Sequence, residues 1–311
     1  MDSVQITMPV PLFLLFSLLL ISILSVAQTN PSNEIAFVSD TQAPMWVENI
    51  FLRANQNERA TALIFEDIVK SKPRAVYILG DVVSLGYRKL KWKNIDQCIG
   101  VCRENGIEVH GLLGNHDLMG RSKRGELNFQ KRFPDHVRTG YISTIDSVGV
   151  ILVNSNFGKL TSLEISQQQA WYEAALESLD NDPAVKAVIV TCHHAPFSNS
   201  KLVGSSKPVQ DHFVPAFLHS RKSLLFITGH SHTFEHFKKS GKDFLVIGGG
   251  GGLHQPLRSN LEDTASKYKP MFHYLTVKRT GKSLLVMSHF LKPDFSGFEK
   301  SYNFSTPTSN R

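Results

Sequence analysis

The sequence predicts an α/β fold built on parallel strands. Apolar runs alternate with amphipathic helical patterns in the first half of the chain, in the order strand, helix, strand, helix, strand. This order favours parallel pairing with right-handed crossovers. Polar side chains then follow five apolar runs. They are Asp40 and Gln42, Asp81, Asn115 to Asp117, His193 and His194, and His230 and His232. Ligands bind at the carboxyl ends of strands in open α/β sheets, so we expect these groups to form one metal site with oxygen and nitrogen ligands.

The elements of the first half follow from short apolar runs and helical spacing. Strands are expected over 34–39, 74–79 and 107–113, where the sequence is continuously apolar or weakly alternating. The segment 57–70 places its apolar residues near helical spacing and predicts an amphipathic helix. A second helix is expected over 91–104, with Gly106 as its C-cap. The basic and aromatic segment 121–138 has no clean period, so it is interpreted as a loop beside the site.

The second half is predicted to contain hairpins and two more helices. Strands over 141–146 and 150–154 flank Ser-Val-Gly, those over 234–239 and 243–247 flank Ser-Gly-Lys, and those over 272–279 and 283–290 flank Thr-Gly-Lys. Apolar strands over 187–190 and 224–227 end just before the histidine pairs. Helices are expected over 166–179, with Ser166 as N-cap, and near 211–220. The glycine run 248–252 precedes no helical pattern, so it is not a nucleotide-binding loop. It is interpreted either as a place where the backbone approaches a ligand or as a flexible turn.

Length, composition and charge indicate a globular protein of ordinary make-up. The 311 residues suffice for one large domain or two small ones, and 41% are hydrophobic and 20% charged. The net charge of +7 favours anionic substrates such as phosphates. The three cysteines, Cys98, Cys102 and Cys192, are too few and unsuitably spaced for a disulfide framework or a thiolate zinc site. Cys192 is interpreted as a small buried strand residue, with a nucleophile as the alternative.

The N-terminus has the pattern of a cleaved export signal. An apolar run over 12–26 overlaps the tripeptide Ser25-Val-Ala27. Cleavage after Ala27 would place small residues at the −3 and −1 positions. We therefore expect a signal peptide over 1–27, a catalytic domain over 33–300 and a disordered tail over 301–311. The mature protein would be secreted or periplasmic without a membrane span; an uncleaved segment anchoring it to a membrane is the alternative.

Five motifs in order give the chain its resemblance to a known family. They are Asp40-x-Gln42, Gly80-Asp81 followed by Gly86, Gly114-Asn-His-Asp117, His194-x-Pro196 and Gly229-His-x-His232. Together they resemble the calcineurin-like metallophosphoesterase family, and segments 194–200 and 229–235 partly resemble its acid phosphatase branch. The resemblance implies an αββα sandwich of two mixed β-sheets flanked by helices.

The resemblance also implies a site for two divalent metal ions, Mn, Fe or Zn. Asp81 would bridge the ions. The remaining implied ligands are Asp40, Gln42 and His232 for one ion, and Asn115, His194 and His230 for the other. His116 would protonate the leaving group as a catalytic residue, and Asp117 would accept its second ring N–H. His193 is interpreted as structural, because strand alternation would turn it away from His194.

Two positions depart from the family pattern. Many members have His where this chain has Gln42, and a carboxamide oxygen is a weaker ligand than imidazole for transition ions. The purple acid phosphatases have Tyr three residues after the bridging Asp, and here that residue is Ser84. No tyrosinate–iron charge transfer is therefore expected.

The resemblance implies hydrolysis of phosphate esters by a hydroxide held between the two ions. The substrate is expected to be a small phosphorylated molecule, with phosphomonoesters as the first choice. A phosphodiesterase acting on cyclic nucleotides or glycerophosphodiesters is one alternative, and a non-catalytic phosphate- or metal-binding protein is another. A nuclease is a third possibility because Arg121, Lys123 and Arg124 form a basic cluster. Aromatic residues are not interleaved with that cluster, so no specific nucleic acid is expected.

Overall fold

The computed structural model describes residue 1 and residues 32–258, 261–265 and 271–307. The chain divides into two units, Met1–Asn30 and Pro31–Arg311. Met1 is the only described residue of the first unit, so the predicted signal peptide lies outside the described residues. No helix among the described residues is both long enough and apolar enough to cross a membrane. The fold below is that of the second unit.

The described part of this unit contains twelve strands and six α-helices. The strands are β1 (Ser32–Val38), β2 (Pro73–Leu79), β3 (Glu108–Leu112), β4 (Gly140–Ile145), β5 (Val148–Val153), β6 (Ala187–Thr191), β7 (Ser223–Thr228), β8 (Phe234–Lys239), β9 (Lys242–Ile247), β10 (His273–Thr280), β11 (Ser283–Leu291) and β12 (Phe298–Ser305). The helices are α1 (Asn57–Ser71), α2 (Lys93–Glu104), α3 (Ser122–Gln130), α4 (Ser162–Asn181), α5 (Lys207–His212) and α6 (Val214–His219).

The strands form two six-stranded mixed sheets. The first has the order β12-β11-β10-β1-β2-β3, and the second has the order β4-β5-β6-β7-β9-β8. β1, β2 and β3 are parallel neighbours in the first sheet, and β5, β6, β7 and β9 are parallel neighbours in the second. The parallel strands lie at one end of the first sheet and in the middle of the second, and in each sheet their carboxyl-terminal ends are side by side.

The central strands of both sheets are buried on both faces. Along β1, Ile35 and Phe37 pack into the core between the sheets, whereas Ala36 and Val38 pack into the core beneath α1, α2 and α3. Along β6, Ile189 faces the core between the sheets. Its neighbours Val188 and Val190 face the core beneath α4, α5 and α6. This arrangement explains why the strands are continuously apolar rather than alternating, and it confirms the predicted αββα sandwich.

Several predicted boundaries are wrong. Segment 121–138 contains α3, whose buried face includes Phe129. Helix α4 begins four residues before the expected N-cap because Thr161 and Glu164 form a reciprocal capping box. The tail expected from residue 301 is wrong for residues 301–305, since β12 pairs with β11 as far as Ser305. The structural domain among the described residues therefore runs from Ser32 through this last strand.

Candidate metal centre

Five strand ends meet at one point between the sheets. β1, β2 and β3 deliver Asp40, Asp81 and Asn115, while β6 and β7 deliver the histidine pairs. Main-chain hydrogen bonds join the loops: Asp40 N donates to Gly80 O at 3.1 Å, and Gly229 N donates to His193 O at 3.0 Å. The convergence that the strand order predicts is therefore present.

Two buried carboxylates form the floor of the site. Asp40 Oδ2 accepts from His230 N at 2.9 Å, and Asp81 Oδ1 accepts from His116 N at 2.7 Å. Their other oxygens, Asp40 Oδ1 and Asp81 Oδ2, are buried and have no hydrogen-bond partner among the described residues. A buried carboxylate oxygen that accepts no hydrogen bond costs several kcal/mol unless a cation, either a protonated imidazole or a metal ion, lies beside it, so these two oxygens fit a metal centre.

The spacing of the donor atoms also fits metal ions. Asp81 Oδ2 lies 3.3 Å from His193 Nε2, and Asp40 Oδ1 lies 3.3 Å from His232 Nε2. Two ligands at ordinary metal distances in tetrahedral geometry would be about 3.4 Å apart. Ligand atoms of Asp40, Asp81 and His193 also lie within 4.8 Å of one another, as do those of His193, His194 and His230. His193 therefore belongs to two adjacent groups, each with the dimensions of an ion site.

The prediction that His193 points away from the site is wrong. Its ring is fully buried, and its Nε2 lies 3.1 Å from Asn115 Oδ1. Its Nδ1 lies 3.0 Å from Leu79 O. Donation from Nδ1 to that carbonyl would leave the Nε2 lone pair facing the site, which is the tautomer a metal ligand needs. β6 ends at Thr191, so strand alternation no longer dictates the direction of the next side chains.

His194 lies in the same cluster and has a different polar neighbour. Its Nδ1 is 2.8 Å from Ser155 Oγ, and its ring centroid is 4.4 Å from that of His230. The structure thus brings both histidines of the pair to the site, together with Asn115 and His230. The His-x-Pro spacing alone pointed only to His194.

Gln42 and His232 face each other at the other end of the site. His232 Nδ1 is 2.7 Å from Leu253 O, so a ring that donates there directs Nε2 at the site. The Gln42 amide satisfies its hydrogen bonds when its nitrogen donates to Asp40 O at 3.1 Å and to Asp81 O at 2.8 Å. Its oxygen then lies 3.2 Å from His232 Nε2. This orientation offers a carbonyl oxygen, rather than the amide nitrogen, to an ion.

His116 and Asp117 do not form the expected hydrogen-bonded pair. His116 Nδ1 is 3.3 Å from Ser84 O, and its Nε2 lies 3.9 Å from Asp81 Oδ2. The Asp117 carboxylate is fully buried. It accepts hydrogen bonds from Val83 N at 3.1 Å, Gly114 N at 2.9 Å and Val82 N at 3.3 Å. The expected role of Asp117 in orienting the ring is therefore wrong: Ser84 O faces the ring nitrogen, while Asp117 secures the loops that follow β2 and β3.

Backbone strain is concentrated at the candidate ligands. Asp40, Asp81, His230 and His232 have positive φ values of 59°, 48°, 69° and 45°. Residues other than glycine rarely adopt this region, at a cost of about 1–3 kcal/mol each. A Cβ on Gly229 would lie 2.3 Å from Asp40 Oδ2, so this close approach requires glycine. The surrounding fold thus holds the ligands in conformations that they would not adopt alone.

The glycine run supports the site through its backbone. Gly250 N donates to Ser39 O at 2.9 Å, and Gly252 N donates to Asp40 O at 2.8 Å. A Cβ on Gly252 would lie 2.5 Å from the His232 ring. The carbonyls of the run accept from Asn57 Nδ2 at 2.7 Å and from Thr61 Oγ1 at 2.8 Å. The run is therefore a close-packed support for Asp40 and His232, fastened to α1, rather than a free turn.

Burial and mutual charge separate the pKa values of the site. Burial alone would raise the pKa of Asp81, but His193 and His116 outweigh it and hold that pKa below its usual value. Burial alone would lower the pKa of His193, but Asp81 outweighs it and raises that pKa to about 9. Burial lowers the pKa of His194 to about 3 and that of His230 well below its usual value. His194 and His230 are thus neutral and able to bind metal, whereas His193 must first release a proton.

A pocket of about 320 Å³ opens onto the site. Its floor contains Asp81, Asn115, His116, His230 and His232. Its wall contains Glu48, Phe51, Leu52, Leu202, Val203 and Gln255. The volume lies at the lower end of the range for small-ligand sites. A ligand can therefore reach the candidate metal centre from one side, with His116 next to it.

The sequence offered little indication of several supporting residues. Leu253 O and Ser84 O are main-chain acceptors, which residue types do not predict. Ser155, Asn57 and Thr61 are ordinary polar residues in chain segments far from the motifs. His193 had a usable signal, because it follows the end of an apolar strand by two residues and is adjacent to His194.

Comparison with protein families agrees with this geometry. A model described as "calcineurin-like phosphoesterase" matches residues 34–234. The chain belongs to this family. Membership implies a centre for two divalent metal ions. The matched region begins in β1 and ends at the start of β8, so it spans all the candidate ligands.

Solved structures share the fold at low sequence identity. A purple acid phosphatase, PPD1, from yellow lupin seeds has a TM-score of 0.65 and 15% identity over 88% of this chain and 53% of its own. This chain thus spans about half of the lupin enzyme. A dimetal phosphatase from Danio rerio has a TM-score of 0.58 and 14% identity over 90% and 100%. GAP50, the anchor in the inner membrane complex of Plasmodium, has a TM-score of 0.63 and 14% identity over 89% of both chains. No curated protein sequence matches the chain.

Proposed function

We propose that the protein hydrolyses phosphomonoesters, with Asp40, Gln42, Asp81, Asn115, His193, His194, His230 and His232 as its metal-binding set. The observation that carries this proposal is the pair of unpartnered buried oxygens, Asp40 Oδ1 and Asp81 Oδ2, each 3.3 Å from a histidine Nε2. Ligand atoms of Asp81, Asp40 and His193 lie within 4.8 Å of one another, which suits Asp81 as a shared ligand. Mn, Fe and Zn are the candidate ions.

Divalent ions bound here would supply Lewis acidity and lower the pKa of water. The other tasks fall to the chain. His116 faces the pocket with Nε2, and Ser84 O is positioned to hold its other nitrogen, so a protonated ring can give its proton to a leaving oxygen. Asn115 and Asp81 are held by the loops that Asp117 fastens. These residues position the phosphoryl group and the acid in one pocket.

Monoester specificity is supported by the size of the pocket. About 320 Å³ beside the floor accommodates a phosphoryl group and one modest substituent. A diester needs room for two substituents. A binding protein without activity would not need a pocket-facing imidazole beside the floor, which disfavours the non-catalytic alternative.

A side-by-side assay tests this function. The metal-free protein is loaded with Mn, Fe or Zn and given 4-nitrophenyl phosphate and bis(4-nitrophenyl) phosphate at matched concentrations. We expect a higher kcat/KM for the monoester with at least one metal. A higher value for the diester would favour the phosphodiesterase alternative. Stoichiometric metal without hydrolysis of either compound would favour the non-catalytic alternative.

We also propose that the protein is exported. The proposal is supported by the apolar run over 12–26 and the small residues Ser25 and Ala27. N-terminal sequencing of the protein from its native host should give Gln28 as the first residue. A chain that starts at Met1 and sediments with membranes would instead favour the anchored alternative.

A further inference from the structure

Two chain segments that are distant in sequence make the wall of the pocket apolar. Phe51 and Leu52 come from the segment between β1 and α1, and Leu202 and Val203 come from the loop between β6 and α5. Phe51 is 82% exposed, Leu202 56% and Val203 38%. Large apolar side chains exposed together at the mouth of a polar site indicate a ligand surface.

The charges of the pocket exclude one class of ligand. Among the described residues that line it, none is Lys or Arg, and Glu48 is acidic. A second phosphate or a carboxylate on the substrate would find no cation in this wall. The phosphoryl group must lie at the floor, so the rest of the substrate must pass along the apolar wall.

The Leu202–Val203 side of the wall is held in place by hydrogen bonds. Ser200 Oγ accepts from Leu202 N at 3.1 Å and Val203 N at 3.3 Å, and it donates to Gln255 Oε1 at 2.6 Å. Gln255 Nε2 in turn donates to His230 O at 3.5 Å. The wall is therefore tied to the loop that carries a candidate metal ligand, and its distance from the floor is set in advance.

A buried carboxylate fastens the beginning of the same loop. Glu235 accepts from Ser198 Oγ at 2.8 Å and from Asn199 N at 2.6 Å. Ser198 Oγ is also 2.9 Å from Ser231 Oγ, which lies between His230 and His232. Wall and floor are thus joined at two points, as expected of parts that bind the same molecule.

We propose that the alcohol portion of the substrate is an apolar group, aromatic or alkyl, that packs between Phe51–Leu52 and Leu202–Val203. This inference rests on the proposed phosphomonoesterase function and names its substrate class. The wall would contribute to binding of the alcohol, while the floor binds the phosphoryl group equally in all esters. Polar esters such as sugar phosphates would lose the contribution of the wall.

Binding of non-hydrolysable phosphonates tests the wall independently of turnover. The full chain loaded with Mn²⁺ is titrated calorimetrically with 1-naphthylmethylphosphonate and with methylphosphonate. We expect the naphthyl compound to bind at least about tenfold more tightly, the discrimination that an apolar pocket typically provides. Phe51→Ser and Leu202→Ser should each reduce this advantage several-fold and leave the Kd of methylphosphonate unchanged. Both residues are exposed, so these variants should fold.

Leu163→Ser is the matched control, because Leu163 is 67% exposed on α4 and does not line the pocket. It should leave both Kd values unchanged. Three outcomes would overturn the proposal. They are equal affinity for the two phosphonates, binding of neither phosphonate, and tighter binding of the naphthyl compound that persists in both Phe51→Ser and Leu202→Ser. Binding to phosphatidylglycerol vesicles that Phe51→Ser abolishes, with equal phosphonate affinities, would assign the exposed residues to a lipid surface instead.

Kinetics separate this inference from the function on which it rests. We expect a higher kcat/KM for 1-naphthyl phosphate than for glycerol 3-phosphate. Hydrolysis of neither ester, with the phosphonate preference intact, would refute the phosphomonoesterase function and keep the apolar site. Equal hydrolysis of both, with equal phosphonate affinities, would keep the function and refute the apolar site.

Discussion

Replacing His193 by alanine tests the residue that the structure adds to the site. This fully buried ring lies 3.3 Å from Asp81 Oδ2, and the carboxylate raises its pKa to about 9. Because the folded pKa lies above the ordinary value of 6.5, the pair contributes stability that is fully present below pH 6.5 and is lost as pH rises through 9. The rise from 6.5 to about 9 corresponds to about 3 kcal/mol at 1.36 kcal/mol for each pH unit.

The assay is urea unfolding followed by tryptophan fluorescence after dialysis against a chelator. At pH 6, His193→Ala should be less stable than the wild type by about 3 kcal/mol plus a packing term for the lost ring. At pH 10 the electrostatic part of this stability difference should be gone, and only the part caused by lost packing should remain. His219→Ala, at an exposed position on α6, is the control and should show no deficit at either pH.

Metal binding gives the second readout of the same variant. Saturating Mn²⁺ should stabilise the wild type by RT ln(1 + [Mn]/Kd), which is about 2.7 kcal/mol at one hundred times Kd. His193→Ala should gain less stability from Mn²⁺ than the wild type, because one metal site loses a ligand. A deficit that is the same at pH 6 and pH 10 would refute the charged pair. A gain from Mn²⁺ equal to that of the wild type would refute the role of His193 as a ligand.

Three further variants test the remaining roles. His116→Ala should retain its metals but lose about 10²–10⁴-fold in kcat, as expected when a general acid is removed; loss of metal from the purified variant would contradict this role. Asp81→Ala should lose both metal and activity, measured by elemental analysis and the monoester assay, and a fully loaded, active variant would refute the shared ligand. Gln42→His should tighten Zn binding at one of two calorimetrically resolved sites, because imidazole binds transition ions better than a carboxamide. Unchanged affinities at both sites would mean that Gln42 only secures the Asp40 and Asp81 carbonyls.

Much of the fold could be predicted because its cause is local. Continuous apolar runs predicted the strands, and the cores on both sides of β1 and β6 explain why these runs do not alternate. The hairpin β8–β9 was predicted from Ser-Gly-Lys, and Ser240 and Gly241 do adopt positive φ at its turn. Helix α3 was missed because its burial depends on aromatic partners distant in sequence, including Trp92.

The residue types of the metal centre were determined by the sequence, since an apolar strand followed by Asp, Asn or His already implies a ligand at a sheet edge. That His193 enters the site together with His194 was decided by tertiary structure. His193 is directed by the carbonyl of Leu79, a main-chain atom of another strand. The same holds for Asp117, whose motif suggested a partner for His116 but whose carboxylate meets amides that the crossing loops bring to it. The sequence determines which side chains follow each strand. The direction of those side chains depends on main-chain donors and acceptors of other segments, which only tertiary packing brings near them.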